Sequence, residues 1–214
     1  MTKNMIKVLY ACFEDQFTDK ELATYLAPFP ASIKNKILRF QRWQDVQASL
    51  FGKLLLQKGL SEFGVTCDLD KLQYTSYSRP YIDKNIDFNI SHSGHYVTCA
   101  LSNVSKVGID IEQINRIAIE DFKCYMLPGE WNKIAESKNK YHDFYDYWTQ
   151  KESIVKADGR GLAIPLEEIV VRGNEAQLAD TTWHLKKLQL ADNYVVHLAS
   201  ATACSNPVIR KVEL

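Results

Sequence analysis

The spacing of apolar residues changes its character several times along this chain of 214 residues, and that order restricts the possible folds. A short apolar run at 6–13 predicts a first strand. Thr18-Asp19-Lys20-Glu21 has the spacing of a capping box, so a helix is expected to begin there. Helical spacing from about 32 to 63, with a break near Trp43, predicts further helix.

The second part of the chain shows the same succession. Short apolar runs at 88–90, 97–101 and 107–111 predict strands, and the Ser-rich link around Asn103 predicts that the last two form a hairpin. Helical spacing returns from about 119 to 157, with a break at Pro128 and Gly129. Further strands are expected at 168–172, 183–190, 194–201 and 208–214.

This order of helices, strands, helices and strands favours an α+β fold. We expect two similarly built halves that meet near 103–107, although no repeat is visible in the letters themselves. The expected halves are residues 1–104 and 105–214, with the site between them.

The charge balance excludes some classes of partner. The chain has 26 Lys and Arg against 26 Asp and Glu, which argues against a protein-wide electrostatic grip on nucleic acid or an anionic membrane. No apolar run is long enough to predict a transmembrane helix, and the first strand lacks the features of a signal peptide. Five scattered cysteines without a C-x-x-C pair suggest a reduced, cytoplasmic protein.

The pentapeptide Gly108-Ile109-Asp110-Ile111-Glu112 alternates apolar and acidic residues. On a strand, Asp110 and Glu112 would share one face about 7 Å apart, while Ile109 and Ile111 would point to the other. Two such carboxylates suit a divalent cation with oxygen ligands. The pattern equally fits an amphipathic strand with a solvated acidic face.

A second pattern lies late in the predicted helix around 148–156. Residues four apart share a helix face, so Trp148, Glu152 and Lys156 form one stripe. Glu152 could be a third metal ligand or a base, and Lys156 a point charge on a phosphate. The alternative is a solvated ion pair, which is the more common use of this spacing.

Other short segments could hold an anion. Ser91-His92-Ser93-Gly94 follows a predicted strand, and hydroxyls, imidazole and exposed amides in a turn can bind phosphate. Arg79 stands before Pro80 on a second predicted turn. A run without acids carries four cations, Lys34, Lys36, Arg39 and Arg42, which could equally be solvated.

Taken together and in this order, four motifs resemble those of the 4′-phosphopantetheinyl transferases of the surfactin-synthetase-activating type. They are Y-S-R-P at 77–80, F-N-I-S-H-S at 88–93, G-I-D-I-E at 108–112 and W-x-x-K-E-S-x-x-K at 148–156. The resemblance implies transfer of the phosphopantetheine arm of coenzyme A to a carrier-protein serine, with release of adenosine 3′,5′-bisphosphate. It also implies a monomer of two similar α+β halves, each an antiparallel sheet packed with helices, related by a pseudo-twofold axis.

The resemblance also implies roles for the acidic motifs. Asp110, Glu112 and Glu152 would hold Mg²⁺, or Mn²⁺, against the pyrophosphate of coenzyme A. Lys156 would contact the same pyrophosphate, and Glu152 or an ordered water would take the serine proton. In some relatives the counterpart of Glu130 has been proposed to help as a base.

Coenzyme A would be bound through the remaining motifs. The resemblance places Lys36, with Lys34, and the Ser91-His92 pair at the 3′-phosphate, and Arg79 and Pro80 beside the adenine. Many relatives have an Arg-Thr pair where this chain has Ala48-Ser49. Ser49 keeps a hydroxyl, but the missing cation puts that phosphate subsite in question.

The other expected partner is an apo acyl or peptidyl carrier protein, whose serine is modified. Tyr125, Met126, Leu127 and Arg160 are the candidate contacts for it.

Two other classes of function remain open at this point. A non-catalytic module that binds coenzyme A or a carrier would be expected to lose one of the three acids, and a Mg²⁺-dependent nucleotide phosphohydrolase would use water as the acceptor.

Overall fold

The computed structural model describes residues 4–66, 69–82, 85–203 and 206–214. Its α-helices are α1 (Asp19–Leu26), α2 (Ala31–Leu38), α3 (Trp43–Glu62), α4 (Pro128–Glu136) and α5 (Lys140–Asp158). Its strands are β1 (Ile6–Cys12), β2 (Gln73–Tyr74), β3 (Pro80–Tyr81), β4 (Asp87–Ser93), β5 (Tyr96–Ser102), β6 (Val107–Gln113), β7 (Val170–Arg172), β8 (Glu175–Leu178), β9 (Thr181–Leu188), β10 (Tyr194–Ser200) and β11 (Val208–Lys211). Short 3-10 helices cover Leu69–Lys71, Ile119–Tyr125, Gly161–Ala163 and Leu166–Glu168.

Local signals predicted the main elements well. The capping box is present at α1, where Thr18 Oγ1 accepts from the backbone N–H of Glu21 at 3.3 Å, and Glu21 Oε2 accepts from that of Thr18 at 2.8 Å. The predicted break near Trp43 separates α2 from α3, and Pro128, where the second break was predicted, is the first residue of α4. The described helices are all too short or too polar to serve as a membrane span.

The two larger sheets repeat one strand order. In the first sheet β5 lies between β1 and β4, and in the second β10 lies between β6 and β9, with antiparallel pairing throughout these two triplets. Each triplet begins with a strand, continues through helices and ends with a hairpin. The mixed α+β architecture is therefore confirmed. The boundary between 104 and 105 stays a prediction.

The predicted hairpin between 97–101 and 107–111 is wrong. Strand β5 forms its hairpin with the preceding β4, across a two-residue turn in which Gly94 has a φ of +54°. Strand β6 pairs with β10 of the other sheet. The link between β5 and β6 therefore crosses from one sheet to the other. Within this link, Ser102 Oγ accepts hydrogen bonds from the backbone N–H groups of Val104 and Ser105.

A ladder of side chains joins the two sheets where β4 and β6 run side by side. The side chain of every second residue of β4 accepts a hydrogen bond from a backbone N–H group of β6. The N–H groups along this edge of β6 are therefore satisfied by side chains, where a neighbouring strand would otherwise provide backbone oxygens. The four acceptors are Asp87, Asn89, Ser91 and Ser93, and their donors, at 2.7, 2.9, 3.4 and 3.1 Å, are the N–H groups of Val107, Ile109, Ile111 and Gln113. We call these eight residues the polar ladder.

Apolar packing closes the other side of the same junction. Ile109 and Ile111 of β6 are fully buried in one cluster with Ile6 and Val8 of β1. The predicted alternation along β6 is thus confirmed for its apolar face. Burial of this face leaves Asp110 and Glu112 directed to the other side of the strand.

Candidate active site

Glycine 108 determines how closely the carboxylate strand approaches helix α5. A Cβ atom at this position would lie 2.0 Å from the backbone oxygen of Ser153 and 2.4 Å from the backbone nitrogen of Ala157. No side chain fits there, so β6 packs directly against the helix backbone. This approach brings Asp110 close to Glu152 and Lys156, which the sequence separates by some forty residues.

Asp110 is 2% exposed and lies at the centre of the site. Its Oδ1 accepts from Lys156 Nζ at 2.5 Å and from Ser91 Oγ at 3.1 Å. Its Oδ2 is buried and has no hydrogen-bond partner among the described residues. Burial raises the pKa of Asp110, and the Lys156 ammonium offsets part of this rise.

The other two carboxylates are electrostatically coupled to Asp110. Burial and then the Asp110 charge raise the pKa of Glu112 to about 7, although Ser93 Oγ donates to Glu112 Oε2 at 2.7 Å. Burial and then Asp110 also raise the pKa of Glu152. Three neighbouring acids whose pKa values are raised, with one oxygen that has no partner, suit an added cation. Among the described residues, however, no three Asp, Glu, His or Cys side chains are already grouped for metal binding.

A cavity of about 300 Å³ lies between α3 and strand β4, the strand that carries Ser91. Three residues predicted to bind coenzyme A line it, namely Ser49, Pro80 and His92. Ala48, which stands where an Arg is common, is also in the wall. The remaining lining residues are Phe40, Asp45, Gly52, Lys53, Phe88, Asn89 and Ile90.

Lys53 is a cation in this wall that the sequence reasoning missed. It follows Ser49 by four residues, so both lie on one face of α3, and that spacing was the available signal. Burial, then Lys36 and Arg39, lower the pKa of Lys53. The Lys36 charge therefore acts on Lys53, although neither Lys36 nor Lys34 lines the cavity itself. Cations that repel one another in this way favour an anionic ligand.

The predicted Ser91-His92 pair is divided between the cavity and the carboxylates. Neighbouring residues of a strand point to opposite faces, so His92 lines the cavity while Ser91 turns to Asp110 and Lys156. Burial, then the Lys156 charge, lower the pKa of His92. Strand β4 therefore connects the two parts of the site.

Arg79 and Pro80 are also divided. Pro80 lines the cavity, but the guanidinium of Arg79 is directed into the junction of the sheets. Its Nη2 lies 2.8 Å from Asp87 Oδ2, 3.0 Å from the Val107 carbonyl oxygen and 3.4 Å from that of Phe88. The described contacts thus give Arg79 a place at the polar ladder, whereas adenine contact was its predicted role.

Glu130 is held in an ion pair with a lysine that received no role from the sequence. Lys151 is fully buried and its Nζ lies 2.8 Å from Glu130 Oε2, which also accepts the Leu127 N–H at 2.9 Å. Lys151 Nζ donates further to the carbonyl oxygens of Leu166 at 3.0 Å and Tyr125 at 3.3 Å. Lys151 thus links α5 to α4 and to the two 3-10 helices that contain Tyr125 and Leu166.

Comparisons with known proteins identify the family of this chain. Residues 16–104 match the family described as 4′-phosphopantetheinyl transferase, N-terminal, and residues 106–205 match the 4′-phosphopantetheinyl transferase superfamily. The chain is 31% identical to the 4′-phosphopantetheinyl transferase gsp of Aneurinibacillus migulanus, over 81% of this chain and 74% of that one. It is 30% identical to the transferase Sfp of Bacillus subtilis, over 77% and 75% of the two chains.

Among solved structures, a holo-[acyl-carrier-protein] synthase of Thermotoga maritima matches 45% of this chain and 62% of its own. Its sequence identity is 16% and its TM-score is 0.36. The two family matches and the relatives at about 30% identity show the family of this chain. The chain is an enzyme that belongs to the 4′-phosphopantetheinyl transferase superfamily.

Proposed function

We propose that this transferase moves the 4′-phosphopantetheine arm of coenzyme A to the serine of an apo acyl or peptidyl carrier protein and releases adenosine 3′,5′-bisphosphate. The observation that carries the proposal is the division of β4, which presents His92 to the cavity that contains Lys53 and presents Ser91 to the carboxylate centre. A ligand with a phosphorylated nucleoside at one end and a pyrophosphate at the other suits both parts. Coenzyme A has this form.

The nucleotide end would occupy the cavity. Lys53, Lys36 and His92 would hold the 3′-phosphate, with Ser49 donating a hydroxyl hydrogen bond. Pro80 and Phe88 would supply apolar contact to the adenine, since both line the same wall. Lys53 would replace the cation that relatives carry where this chain has Ala48.

The reacting end would lie at the carboxylates and Lys156. The carrier serine oxygen attacks the phosphorus next to the pantetheine, the bond from that phosphorus to the bridging oxygen breaks, and the nucleotide leaves with this oxygen. The Lys156 ammonium neutralises charge on the pyrophosphate. Glu152, or a water that it orders, accepts the serine proton.

Asp110, Glu112 and Glu152 would hold a divalent cation such as Mg²⁺ or Mn²⁺. The fit rests on the orphaned Oδ2 of Asp110 and on the raised pKa values of all three acids. Such an ion would stabilise negative charge on the leaving group. Lys156 contacts the other oxygen of Asp110, Oδ1, which leaves Oδ2 available to the ion.

The proposed carrier-docking surface is smaller than the sequence suggested. Tyr125 is exposed, but Met126 is buried in a core cluster with Ile119 and Ile134, so it offers no surface to a partner. Arg160 is exposed and is held by two hydrogen bonds to Asp158, of 2.7 and 3.1 Å. Tyr125, the half-buried Leu127 and Arg160 remain as candidates for an acidic carrier. The monomeric state and the cytoplasmic location stay predictions.

The test is mass spectrometry of apo carriers incubated with the protein, coenzyme A and Mg²⁺. Transfer predicts a gain of one phosphopantetheine, absent with EDTA and absent when the carrier serine is replaced by alanine. A phosphohydrolase would cleave coenzyme A and leave the carrier unmodified. A binding module would neither modify the carrier nor cleave coenzyme A. If no acyl or peptidyl carrier gains a phosphopantetheine, the proposed function is refuted.

A further inference from the structure

We propose that Arg79 is a positioning residue that fixes strand β6, and with it the Asp110 and Glu112 carboxylates, relative to the coenzyme A cavity. This inference rests on the proposed function. It assigns Arg79 to the chemical step of transfer, whereas the resemblance assigns it to adenine binding. The two roles predict opposite kinetic effects.

The first observation is that Val107, the first residue of β6, is held by both of its backbone groups. Its N–H donates to Asp87 Oδ2 at 2.7 Å, and its carbonyl oxygen accepts from Arg79 Nη2 at 3.0 Å. The same guanidinium nitrogen lies 2.8 Å from Asp87 Oδ2. Arg79 and Asp87 therefore act on Val107 much as a neighbouring strand would, three residues before Asp110.

The second observation is that the stem of Arg79 packs against the end of helix α5. Gly159, the C-cap of this helix, has a φ of +92°, and a Cβ there would lie 2.6 Å from Arg79 Cδ. Helix α5 carries Glu152 and Lys156. One side chain thus contacts both elements that supply the reacting groups, and it reaches the Phe88 carbonyl of β4 as well.

The third observation is that the Arg79 backbone belongs to the cavity rim. The Arg79 N–H donates to Thr75 Oγ1 at 3.2 Å, its carbonyl oxygen accepts from the Thr75 N–H at 2.9 Å, and Pro80 follows in the cavity wall. A movement of this turn is therefore transmitted to both the nucleotide wall and β6. All three side-chain hydrogen bonds of Arg79 come from Nη2, which the planar guanidinium holds in a fixed position, whereas a lysine ammonium lies at the end of a flexible stem.

The experiment compares Arg79→Lys and Asp87→Asn with a matched control, Lys7→Gln. Lys7 Nζ also contacts a carboxylate and a carbonyl oxygen, both of Glu62, at 3.1 and 3.3 Å. This contact joins β1 to the end of α3, and it does not involve β6 or α5. Steady-state constants for transfer are measured at a temperature where every variant is folded. Melting curves establish that temperature.

We expect kcat at saturating coenzyme A and carrier to fall by about tenfold or more in Arg79→Lys, because a small displacement of reacting groups is costly. The KM for coenzyme A should stay within about twofold, since the cavity cations are intact. Asp87→Asn should change kcat in the same direction, and Lys7→Gln should change neither constant. A raised KM with unchanged kcat would overturn the proposal in favour of adenine binding, and a lower melting temperature alone would reduce Arg79 to a stabilising role.

A second readout does not depend on transfer. Binding of Mn²⁺, followed by loss of the free-ion electron paramagnetic resonance signal, should weaken in Arg79→Lys and stay unchanged in Lys7→Gln. If the wild-type protein modifies no carrier, the proposed function fails, and this measurement alone decides the role of Arg79. Equal Mn²⁺ affinity in wild type and Arg79→Lys would then overturn the inference.

Discussion

The Lys151 ammonium and the Glu130 carboxylate form an ion pair of 2.8 Å from which water is almost fully excluded. Removing one partner of such a pair leaves an uncompensated buried charge, which costs about 3 to 5 kcal/mol of unfolding free energy. We therefore expect Glu130→Gln to lower the stability by roughly that amount. Urea unfolding measures it, with Glu120→Gln as the control, because the Glu120–Lys140 pair is exposed and 3.7 Å long.

A base would behave differently from a structural partner. If Glu130 were the base for the serine, Glu130→Gln would lower kcat strongly with the unfolding free energy almost unchanged. The double variant Glu130→Leu, Lys151→Met provides a further check, because an apolar pair of similar volume should recover part of the lost stability.

Asp110→Asn should separate catalysis from folding. We expect kcat/KM to fall by about a hundredfold or more, because the carboxylate charge is needed at the pyrophosphate. The unfolding free energy should change by no more than about 1 kcal/mol, since burial of this carboxylate is itself unfavourable and Lys156 is partly exposed and keeps the charges of Glu152 and Glu112 nearby. Turnover and urea unfolding are measured together, with the exposed Asp121→Asn as control. Turnover within a few fold of wild type would remove Asp110 from the reacting centre.

Lys53→Met tests the cation that replaces the missing arginine. Loss of a charged hydrogen bond to the 3′-phosphate should raise the KM for coenzyme A about tenfold. The KM for dephospho-coenzyme A, which lacks this phosphate, should hardly change. Lys58→Met is the control on the same helix, because Lys58 is exposed and outside the cavity wall. Equal effects on both substrates would show that Lys53 does not contact the phosphate.

Gly108→Ala should destabilise the protein by about 3 kcal/mol or more, because the new methyl group would overlap the backbone of α5 and no side chain can move away to relieve it. Gly129→Ala is a stringent control. Gly129 lies in the first turn of α4, and a Cβ there meets nothing within 4 Å. Thermal and urea unfolding of both variants check the expectation, and a Gly108→Ala protein as stable as wild type would contradict the close approach of β6 and α5.

We expect the protein to lose stability in mild acid because of His197. It is buried in β10 with Nδ1 2.8 Å from Thr149 Oγ1, and burial lowers its pKa from 6.5 to about 4. Between these two values the unfolded chain binds a proton that the folded protein does not. Stability is therefore complete above about pH 6.5 and falls as the pH drops toward 4, by about 3 kcal/mol at most.

The comparison with His197→Gln isolates this contribution from that of the carboxylates. Unfolding free energies of both proteins are measured by urea at pH 7 and pH 5. The loss between the two pH values should be smaller in the variant, and an equal loss would show that His197 does not titrate abnormally.

Sequence patterns predicted whatever depends on neighbours along the chain. The Thr18 capping box, the break before α3 and the two faces of β6 all follow from spacing over a few residues, and all are present. The partner of β6 could not be found this way, because strand pairing is decided by distant segments. The hairpin prediction joined two strands that are adjacent in sequence but belong to different sheets.

The site was predicted to a similar extent. Asp110, Glu152 and Lys156 lie close together in the structure, and their roles stay predictions. Spacing alone could not have placed them together, because two of them lie in a distant helix, and it was the family motifs that did so. Lys53 was not selected from the sequence, because neither Lys53 nor Lys58 belongs to a basic cluster in α3, and the spacing between them does not tell which of them faces the cavity. The direction of the Arg79 side chain depends on Asp87 and Val107, which no local pattern connects to it. Cys67 and Cys204, read as reduced, lie outside the described residues.

The polar ladder also bears on how this chain avoids aggregation. An open strand edge readily pairs with another molecule, and the two larger sheets have four edges, at β11, β4, β6 and β7. The ladder places β4 and β6 against each other, so each edge shields the other from foreign strands. The remaining two edges are short, with four residues in β11 and three in β7, and both carry cations, Arg210, Lys211 and Arg172. Substitutions that open the junction of the halves should therefore first become visible as self-association.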